Sequence, residues 1–230
     1  MLKAIALGAA ALLFLPIAQA DTPVERWVAA AGGSEKLATV RTTYREATIE
    51  VLGHVGAIRI WRTTEGKYRK EENIGAYSLV ETFDGERAML RRRAGPVVEM
   101  SAADLARARS IAFANASAVY FVAFPERRRG SVSVESDGTI VLKPEGGIEW
   151  RVTLDTDTAL PRTMVHQEED QTITVSFVDY VTVDGIQFER EIRRTMGERG
   201  PNSLIRFTKT LVNPEIDGSL FSLAGEQAAP

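Results

Sequence analysis

Alternation of apolar and polar residues runs through most of this chain, and short glycine-containing turns interrupt it. In residues 43–51, for example, Ala47, Ile49 and Val51 share one face, and mostly polar residues occupy the other. The same alternation returns repeatedly up to about residue 212. A period of two residues predicts β-strands, and one apolar face per strand is typical of an antiparallel sheet that is solvated on its other side.

Three Asp-Gly pairs lie between predicted strands, at Asp84-Gly85, Asp137-Gly138 and Asp184-Gly185. Both central residues of a type I′ turn have positive φ, a conformation that Asp and Gly tolerate. We therefore predict three tight hairpins of this type, and we expect a further turn at residues 53–56. The hairpin pattern as a whole predicts roughly ten or eleven strands.

Two helices are predicted beside the strands. The first covers residues 23–31, with Thr22 or Asp21 as the capping residue and Gly32-Gly33 as its end. The second covers residues 101–116, where Ser101 and Asp104 have the spacing of a capping box. Because a wide twisted sheet curls, we expect helices to cover its concave face. The predicted fold class is α+β, a single curled antiparallel sheet in the form of an unclosed β-barrel.

Residues 1–20 are typical of a signal peptide. Lys3 precedes an apolar run, and Ala18-Gln19-Ala20 matches a cleavage site. An uncleaved anchor is the alternative interpretation. The folded domain is expected at residues 21–225, followed by a frayed tail at 226–230. The sequence thus predicts an exported, periplasmic protein that is soluble after cleavage.

Composition narrows the candidate chemistry. The net charge of −3 argues against nucleic acid as a partner, and without cysteine the fold must depend on a hydrophobic core. His54 and His166 are too few for a zinc site, so neither metal nor cofactor is expected. No G-x-S-x-G motif is present. The acidic residues 168–170 are more typical of a solvated turn than of acid–base catalysis, so the protein is not expected to be an enzyme.

Three sequence segments, together with the helix from Ser101 after a strand end at Glu99-Met100, resemble exported bacterial LolA-like domains when taken in order. Residues 29–37 (AAAGGSEKL) are similar to their A-x-G-G-x-x-x-L opening. Residues 83–86 (FDGE) resemble the Asp-Gly hairpin that follows in those domains, and residues 211–221 (LVNPEIDGSLF) resemble their ending. Together the segments extend over most of the chain.

The LolA-like superfamily, with proteins of the LolA, LolB, RseB and LppX types, implies an unclosed β-barrel with a helical lid over an apolar cavity. The resemblance implies a carrier for a lipid or for the acyl chains of a lipoprotein, with peripheral contact to a membrane. One alternative is an RseB-like envelope sensor or scaffold that binds a protein partner. Another is an accessory domain of an exported enzyme.

The helix at residues 101–116 is the expected lid, and aromatic or aliphatic residues of the sheet are expected to face it. For each candidate, packing in the core is the alternative. The predicted ligand-binding residues are Trp61, Tyr77, Leu79, Leu105, Ala108, Ile111, Ala112, Phe113, Phe177 and Phe188, with Tyr120, Phe121 and Trp150 as further candidates for the same cavity.

Three arginine groups, at residues 91–93, at residues 127–129 and at Arg190, Arg193 and Arg194, have two interpretations. They are either solvated strand ends or a rim that meets anionic head groups.

Overall fold

A computed structural model describes residues 21–93, 95–114, 118–168, 170–197 and 200–223. The predicted signal peptide, the predicted frayed tail and the end of the predicted helix at 101–116 lie outside these residues. Within the described segments, no helix combines the length and the hydrophobicity needed to cross a membrane.

One antiparallel sheet contains the thirteen strands of the described residues, in the order β6-β5-β4-β3-β2-β1-β13-β12-β11-β10-β9-β8-β7. Short edge strands such as β6 raise the number above the predicted ten or eleven. The strands are β1 (Thr42–Val51), β2 (His54–Thr63), β3 (Tyr68–Ile74), β4 (Tyr77–Phe83), β5 (Ala88–Arg92), β6 (Val97–Glu99), β7 (Gly130–Val134), β8 (Ile140–Pro144), β9 (Trp150–Leu154), β10 (Pro161–Glu168), β11 (Gln171–Val183), β12 (Ile186–Met196) and β13 (Asn202–Val212).

The helices are short and lie mainly at the start and in the middle of the chain. Thr22 and Glu25 form a reciprocal capping box at the first helix, and the Ser101 hydroxyl donates to Asp104 at 2.9 Å at the third. The helices are α1 (Pro23–Ala30), α2 (Ser34–Thr39), α3 (Ala102–Ala114) and α4 (Ala118–Ala123), and a 3₁₀ turn covers Gly218–Phe221.

Only one of the three Asp-Gly pairs forms the predicted type I′ turn. Asp184 and Gly185 have φ values of 52° and 77°. At the other two pairs only the glycine has positive φ, and the aspartate carboxylate instead accepts hydrogen bonds from the backbone of the turn. These turns are Asx-type turns, in which a side-chain acceptor replaces the strained backbone conformation.

The turn expected at residues 53–56 is tighter than predicted. Leu52 and Gly53, with φ values of 50° and 76°, form a two-residue hairpin between β1 and β2. His54 therefore begins β2 and does not lie in a turn. An apolar residue at the first turn position carries no sequence signal for type I′ geometry.

The sheet curls strongly around α3. Strands β3 and β9 are separated by seven strand-to-strand steps in the sheet order. In a flat sheet these steps would place them roughly 34 Å apart. Lys70 of β3 and Trp150 of β9 nevertheless line one cavity. The sheet must therefore bend round, as predicted, and its concave face holds the core.

Two groups of buried apolar residues occupy the concave face. The main core lies where the helices cover the sheet and includes Trp27, Phe121, Leu142 and Phe188. A separate cluster is formed by Ala47, Ile49 and Ile58, with Ile60, Ile205 and Phe207 packed against it. The second cluster lies on β1, β2 and β13, in the middle of the sheet.

Gly32 is where the turn between α1 and α2 meets the hairpin between β11 and β12. Its φ is 127°, and a Cβ atom at this position would lie 2.6 Å from the carbonyl oxygen of Gly185. The adjacent Ala31 carbonyl accepts a 3.0 Å hydrogen bond from the Gln187 N–H. The glycine in the segment 29–37 therefore allows a close backbone approach.

We predict that Gly32→Ala lowers the free energy of unfolding by about 2–4 kcal/mol, because it combines backbone strain with a clash against a carbonyl. Gly53→Ala is the matched control, since its φ is also positive but open space surrounds the new methyl group. The control should cost about 1–2 kcal/mol. Urea denaturation of both variants measures the difference, and equal losses would contradict the proposed contact.

Candidate functional site

A cavity of about 150 Å³ lies between α3 and the concave face of the sheet. Its lining is divided between apolar and polar side chains. The apolar residues are Ile49, Ile58, Ile60, Ile111, Ile148, Trp150, Val175, Ile192, Ile205 and Phe207. The polar residues are Arg62, Lys70, Glu72, Arg107, Ser110, His166, Glu168, Glu189, Arg194 and Ser203.

Strand register builds the apolar floor of this cavity. Ile49 of β1 lies opposite Ile205 of β13, which in turn lies opposite Ile192 of β12. Ile58 of β2 lies opposite Ala47 of β1. Because neighbouring strands place paired residues on the same face, the aliphatic side chains form one continuous surface. The second apolar cluster of the sheet is thus the floor of the cavity.

Polar contacts attach α3 above this floor. The Arg62 side chain donates to the Ile111 carbonyl at 3.0 Å, and Ser110 Oγ accepts from the Ile148 N–H at 2.5 Å. Arg107 Nε lies 3.6 Å from Glu168 Oε1. The fully buried side chains of α3 include the small Ala108 and Ala112. Much of what holds this part of α3 to the sheet is therefore hydrogen bonding and charge.

One wall of the cavity is aromatic and polar. The rings of Trp150 and His166 lie 4.0 Å apart, and His166 Nε2 lies 3.5 Å from Glu168 Oε2. Burial lowers the pKa of His166 below its ordinary value, and the nearby Glu168 carboxylate only partly opposes this effect. His166 is therefore neutral at pH 7.

Lys70 lines the cavity and pairs with a buried acid that does not itself line it. The Tyr68 hydroxyl donates to the carboxylate of Glu81, and Lys70 Nζ lies 3.5 Å from the same carboxylate. Burial by itself raises the pKa of Glu81, but Lys70 and the Tyr68 hydroxyl outweigh this effect, so the pKa lies below its usual value. Burial also raises the pKa of Tyr68 well above its usual value, and Glu81 adds to this increase. Glu81 therefore accepts as a carboxylate and Tyr68 donates as a neutral phenol.

A buried ion pair separates this cavity from a smaller one. Arg45 contacts Glu189 at 2.5 Å, and its guanidinium group lies 3.5 Å from the centre of the Phe207 ring. Glu189 lines both the larger cavity and a second cavity of about 40 Å³ between α1, α4 and strands β10–β12. The concave face is thus divided into two compartments.

The structure distributes the predicted ligand-binding residues over several places. Ile111 lines the larger cavity, and the further candidate Trp150 does so as well. Phe177 and Phe188, with Tyr120, line the smaller cavity. The remaining candidates do not line either cavity: Ala108, Ala112 and Phe113 are buried core residues of α3, Leu105 packs at the edge of that core, Leu79 is buried on β4, Tyr77 is exposed, and Phe121 belongs to the main core.

Trp61 lies on the opposite face of the sheet from both cavities. Its neighbours Ile60 and Arg62 line the larger cavity, so the alternation of β2 directs Trp61 away from it. Its ring packs against Tyr44 with a centroid separation of 5.0 Å. Trp61 therefore lines neither cavity.

The three arginine groups lie in different parts of the molecule. Arg194 lines the larger cavity, whereas the side chain of Arg190 pairs with Asp179. Arg128 donates to the Val122 carbonyl at 2.9 Å, and Arg92 lies at the end of β5.

Among the described residues, no group of three potential metal ligands lies together.

Sequence reasoning missed the isoleucines of the floor as site residues. The sequence contained the information, because Ile49 and Ile58 lie at the alternate positions that form the apolar face of β1 and β2. The position of β13 was harder to predict, since a bulge at Thr208 changes the side-chain alternation between Phe207 and Thr210. His166 was considered only as a metal ligand, and its pairing with Trp150 depends on the register of β9 and β10.

Comparison with solved structures identifies the fold. A LolA superfamily protein from Nitrosomonas europaea matches 88% of this chain and 98% of its own, with a TM-score of 0.59 and 10% identity. A DUF1329 family protein from Desulfovibrio piger matches 90% and 100%, with a TM-score of 0.56 and 14% identity. A domain assigned to an outer membrane lipoprotein-sorting protein from Vibrio parahaemolyticus matches 86% and 94%, with a TM-score of 0.51 and 10% identity.

These likenesses show that the chain has the LolA-like fold, as the three sequence segments predicted. Neither a protein-family model nor a curated protein sequence matches the chain. At the identities observed, the structural likeness concerns the fold and not the ligand.

We predict that Glu81→Gln lowers the free energy of unfolding at pH 7 by about 1–3 kcal/mol, because Lys70 and Tyr68 lose a charged acceptor. A carboxyl with a depressed folded pKa stabilises the fold above its unfolded pKa, near 4.5. This contribution disappears as the pH falls through the folded pKa. The difference between wild type and variant should therefore shrink below about pH 4.5 in urea denaturation series.

Glu86→Gln is the control, since Glu86 is exposed in the turn between β4 and β5. It should change stability by less than about 0.5 kcal/mol. A loss for Glu81→Gln that is constant down to pH 3 would contradict the charged state assigned to Glu81.

Proposed function

We propose that this protein is an exported, non-enzymatic carrier that binds a hydrophobic ligand, a lipid or the acyl chains of a lipoprotein, between α3 and the isoleucine floor. The single observation that carries this proposal is a buried aliphatic surface on the concave face that borders a cavity instead of packing against a helix. The LolA-like fold supports the same class of function.

The energetics of acyl transfer explain why such a surface is needed. Each CH₂ group that leaves an apolar environment for water costs about 0.8 kcal/mol, so an acyl chain costs on the order of 10 kcal/mol. A water-soluble carrier has to replace the membrane interior with an apolar surface of its own. Ile49, Ile58 and Ile205 belong to such a surface, and β-branched side chains on a strand hold it rigid.

In this structure the cavity is too small to hold a whole acyl chain. A volume of about 150 Å³ resembles that of cavities that hold a molecule the size of benzene. We infer that α3 moves outward to admit a chain. Three polar contacts, made by Arg62, Arg107 and Ser110, would exchange with water, at about 0.5–1.5 kcal/mol net for a neutral hydrogen bond and about 1.5–3 kcal/mol for one with a charged group. The buried side chain of Phe113 would leave the main core in the same movement.

We further propose that the protein acts in the periplasm and that its partners are lipids or lipoproteins and the membranes that hold them. Export through the signal peptide at residues 1–20 would place the protein in the periplasm, where it would meet membranes at their surface. Lipids or lipoproteins would be taken up there and released to a second membrane or protein. No cofactor is required for this activity.

Ligand binding is tested by purifying the protein from an envelope fraction under native conditions. Native mass spectrometry should detect a bound lipid, and solvent extraction should release it. Recovery of a protein partner without lipid would favour the RseB-like sensor instead. A protein that stays free of lipid after incubation with phospholipid vesicles or lipoprotein would refute the carrier proposal.

A disulfide between α3 and the sheet tests the lid. A Cβ atom on Gly147 would lie 2.8 Å from Ser110 Oγ, close to the separation of about 3 Å between a sulfur and the far Cβ in a disulfide. We predict that oxidised Ser110→Cys/Gly147→Cys takes up lipid at least about tenfold more slowly than its reduced form, because α3 can no longer move away. A fluorescent fatty-acid probe measures the rate.

The chain has no cysteine, so the engineered pair is the only thiol pair in the protein. The single variant Ser110→Cys under the same oxidation is the matched control, and its uptake rate should not depend on the redox state. Equal rates for the oxidised and reduced double variant would rule out movement of α3 as the step that admits the ligand.

A further inference from the structure

The polar wall of the larger cavity contains two buried hydrogen-bonding atoms without a partner. Trp150 is 3% exposed and His166 is 6% exposed. Among the described residues, neither Trp150 Nε1 nor His166 Nδ1 has a hydrogen-bond partner. Buried polar groups in folded proteins are nearly always paired, because an unpaired one costs about 1–3 kcal/mol. Both residues line the cavity, so a bound ligand can provide the missing partner.

The chemistry of the two atoms is complementary. The indole Nε1 of Trp150 carries a hydrogen and can only donate. His166 Nε2 faces the Glu168 carboxylate, which only accepts, so in the neutral imidazole the hydrogen lies on Nε2 and Nδ1 is an acceptor. Burial lowers the pKa of His166 and so favours this neutral form. The wall therefore offers one donor and one acceptor.

Stacking holds these two atoms in the same neighbourhood. Trp150 of β9 and His166 of β10 are on adjacent strands, and their rings lie 4.0 Å apart with a 32° tilt. One bound head group can therefore lie beside both side chains. The Arg107–Glu168 pair lies beside this wall, and Ile148 continues the lining toward the apolar part of the cavity.

We propose that Trp150 and His166 bind a neutral head group that both donates and accepts a hydrogen bond, such as the hydroxyl of a glycerol or an amide, while the attached acyl chain lies on the isoleucine floor. This inference rests on the proposed function and specifies the class of ligand. A carboxylate or a phosphate dianion can accept from Trp150 but has no hydrogen to donate to His166. Three carboxylates, of Glu72, Glu168 and Glu189, line the cavity together with four cationic side chains, so hydrogen bonding and not the charge of the lining distinguishes the neutral head group.

The test compares three ligands with the same twelve-carbon chain, namely glycerol monolaurate, methyl laurate and laurate. Competition with a fluorescent fatty-acid probe gives their dissociation constants at pH 7.5. Glycerol monolaurate should bind at least about tenfold more tightly than methyl laurate, which cannot donate, and more tightly than laurate. Equal affinities, or tightest binding of laurate, would overturn the inference.

Two variants keep a ring at the wall and remove one nitrogen. His166→Phe should reduce the preference for glycerol monolaurate over methyl laurate by about five- to tenfold, because it removes the acceptor that only glycerol monolaurate can use. Trp150→Phe should weaken both ligands by a similar factor, because the hydroxyl and the ester carbonyl both accept from Nε1. The affinity of His166→Phe for methyl laurate should remain unchanged, since methyl laurate cannot donate to Nδ1, and this also demonstrates that the variant folds. Trp61→Phe, on the opposite face of the sheet, is the matched control and should leave all three affinities unchanged.

The outcomes separate this inference from the proposed function. If His166→Phe weakens all three ligands equally, or Trp150→Phe weakens none of them, the two residues only pack, and the inference is wrong while the carrier function stands. If none of the three ligands binds the wild-type protein, the proposed carrier function fails and the head-group assignment fails with it.

Discussion

The structure depends on the curvature of a sheet that is apolar on one face only. Thirteen strands present more apolar surface than four short helices can cover. Curling reduces the exposed area because it turns the concave face toward itself, so that strands seven steps apart meet α3 together. The part of the concave face that no helix fills becomes the larger cavity. The packing of α3 and the position of the candidate site both follow from this mismatch between sheet width and helix length.

Polar groups divide and close the concave face. The buried Arg45–Glu189 pair separates the two cavities, and burial is offset by the hydrogen bonds that Arg45 makes to Glu189 and Thr210. Above the larger cavity, Arg62 and Arg107 hold α3 through hydrogen bonding and charge. Phe113 of the same helix is buried in the main core, so the outward movement of α3 that we propose would also expose an aromatic side chain.

The local structure was readily predicted because its causes are local. Thr22 and Glu25 cap α1, and the alternation in β1 and β11 follows from which side chains must avoid water. Two of the three Asp-Gly turns were assigned the wrong type, since the Asp side chain can also stabilise a turn by accepting backbone N–H groups. The Leu52-Gly53 hairpin was missed because the register of β1 and β2, and not the turn residues, imposes its geometry.

The sequence by itself determined the strands, the helices, a sheet that is apolar on one face, and the resemblance to LolA-like domains. Each of these depends on neighbouring residues or on their order. Only the tertiary structure decided which apolar residues border a cavity. Ile49 and Ile205 are 156 positions apart in the sequence and meet through strand pairing. Trp61 has a large aromatic side chain of the kind that contacts apolar ligands, but it lies on the face of the sheet opposite the cavity. Side-chain parity is local, but the face that curls inward and the strands that meet there are set by long-range pairing.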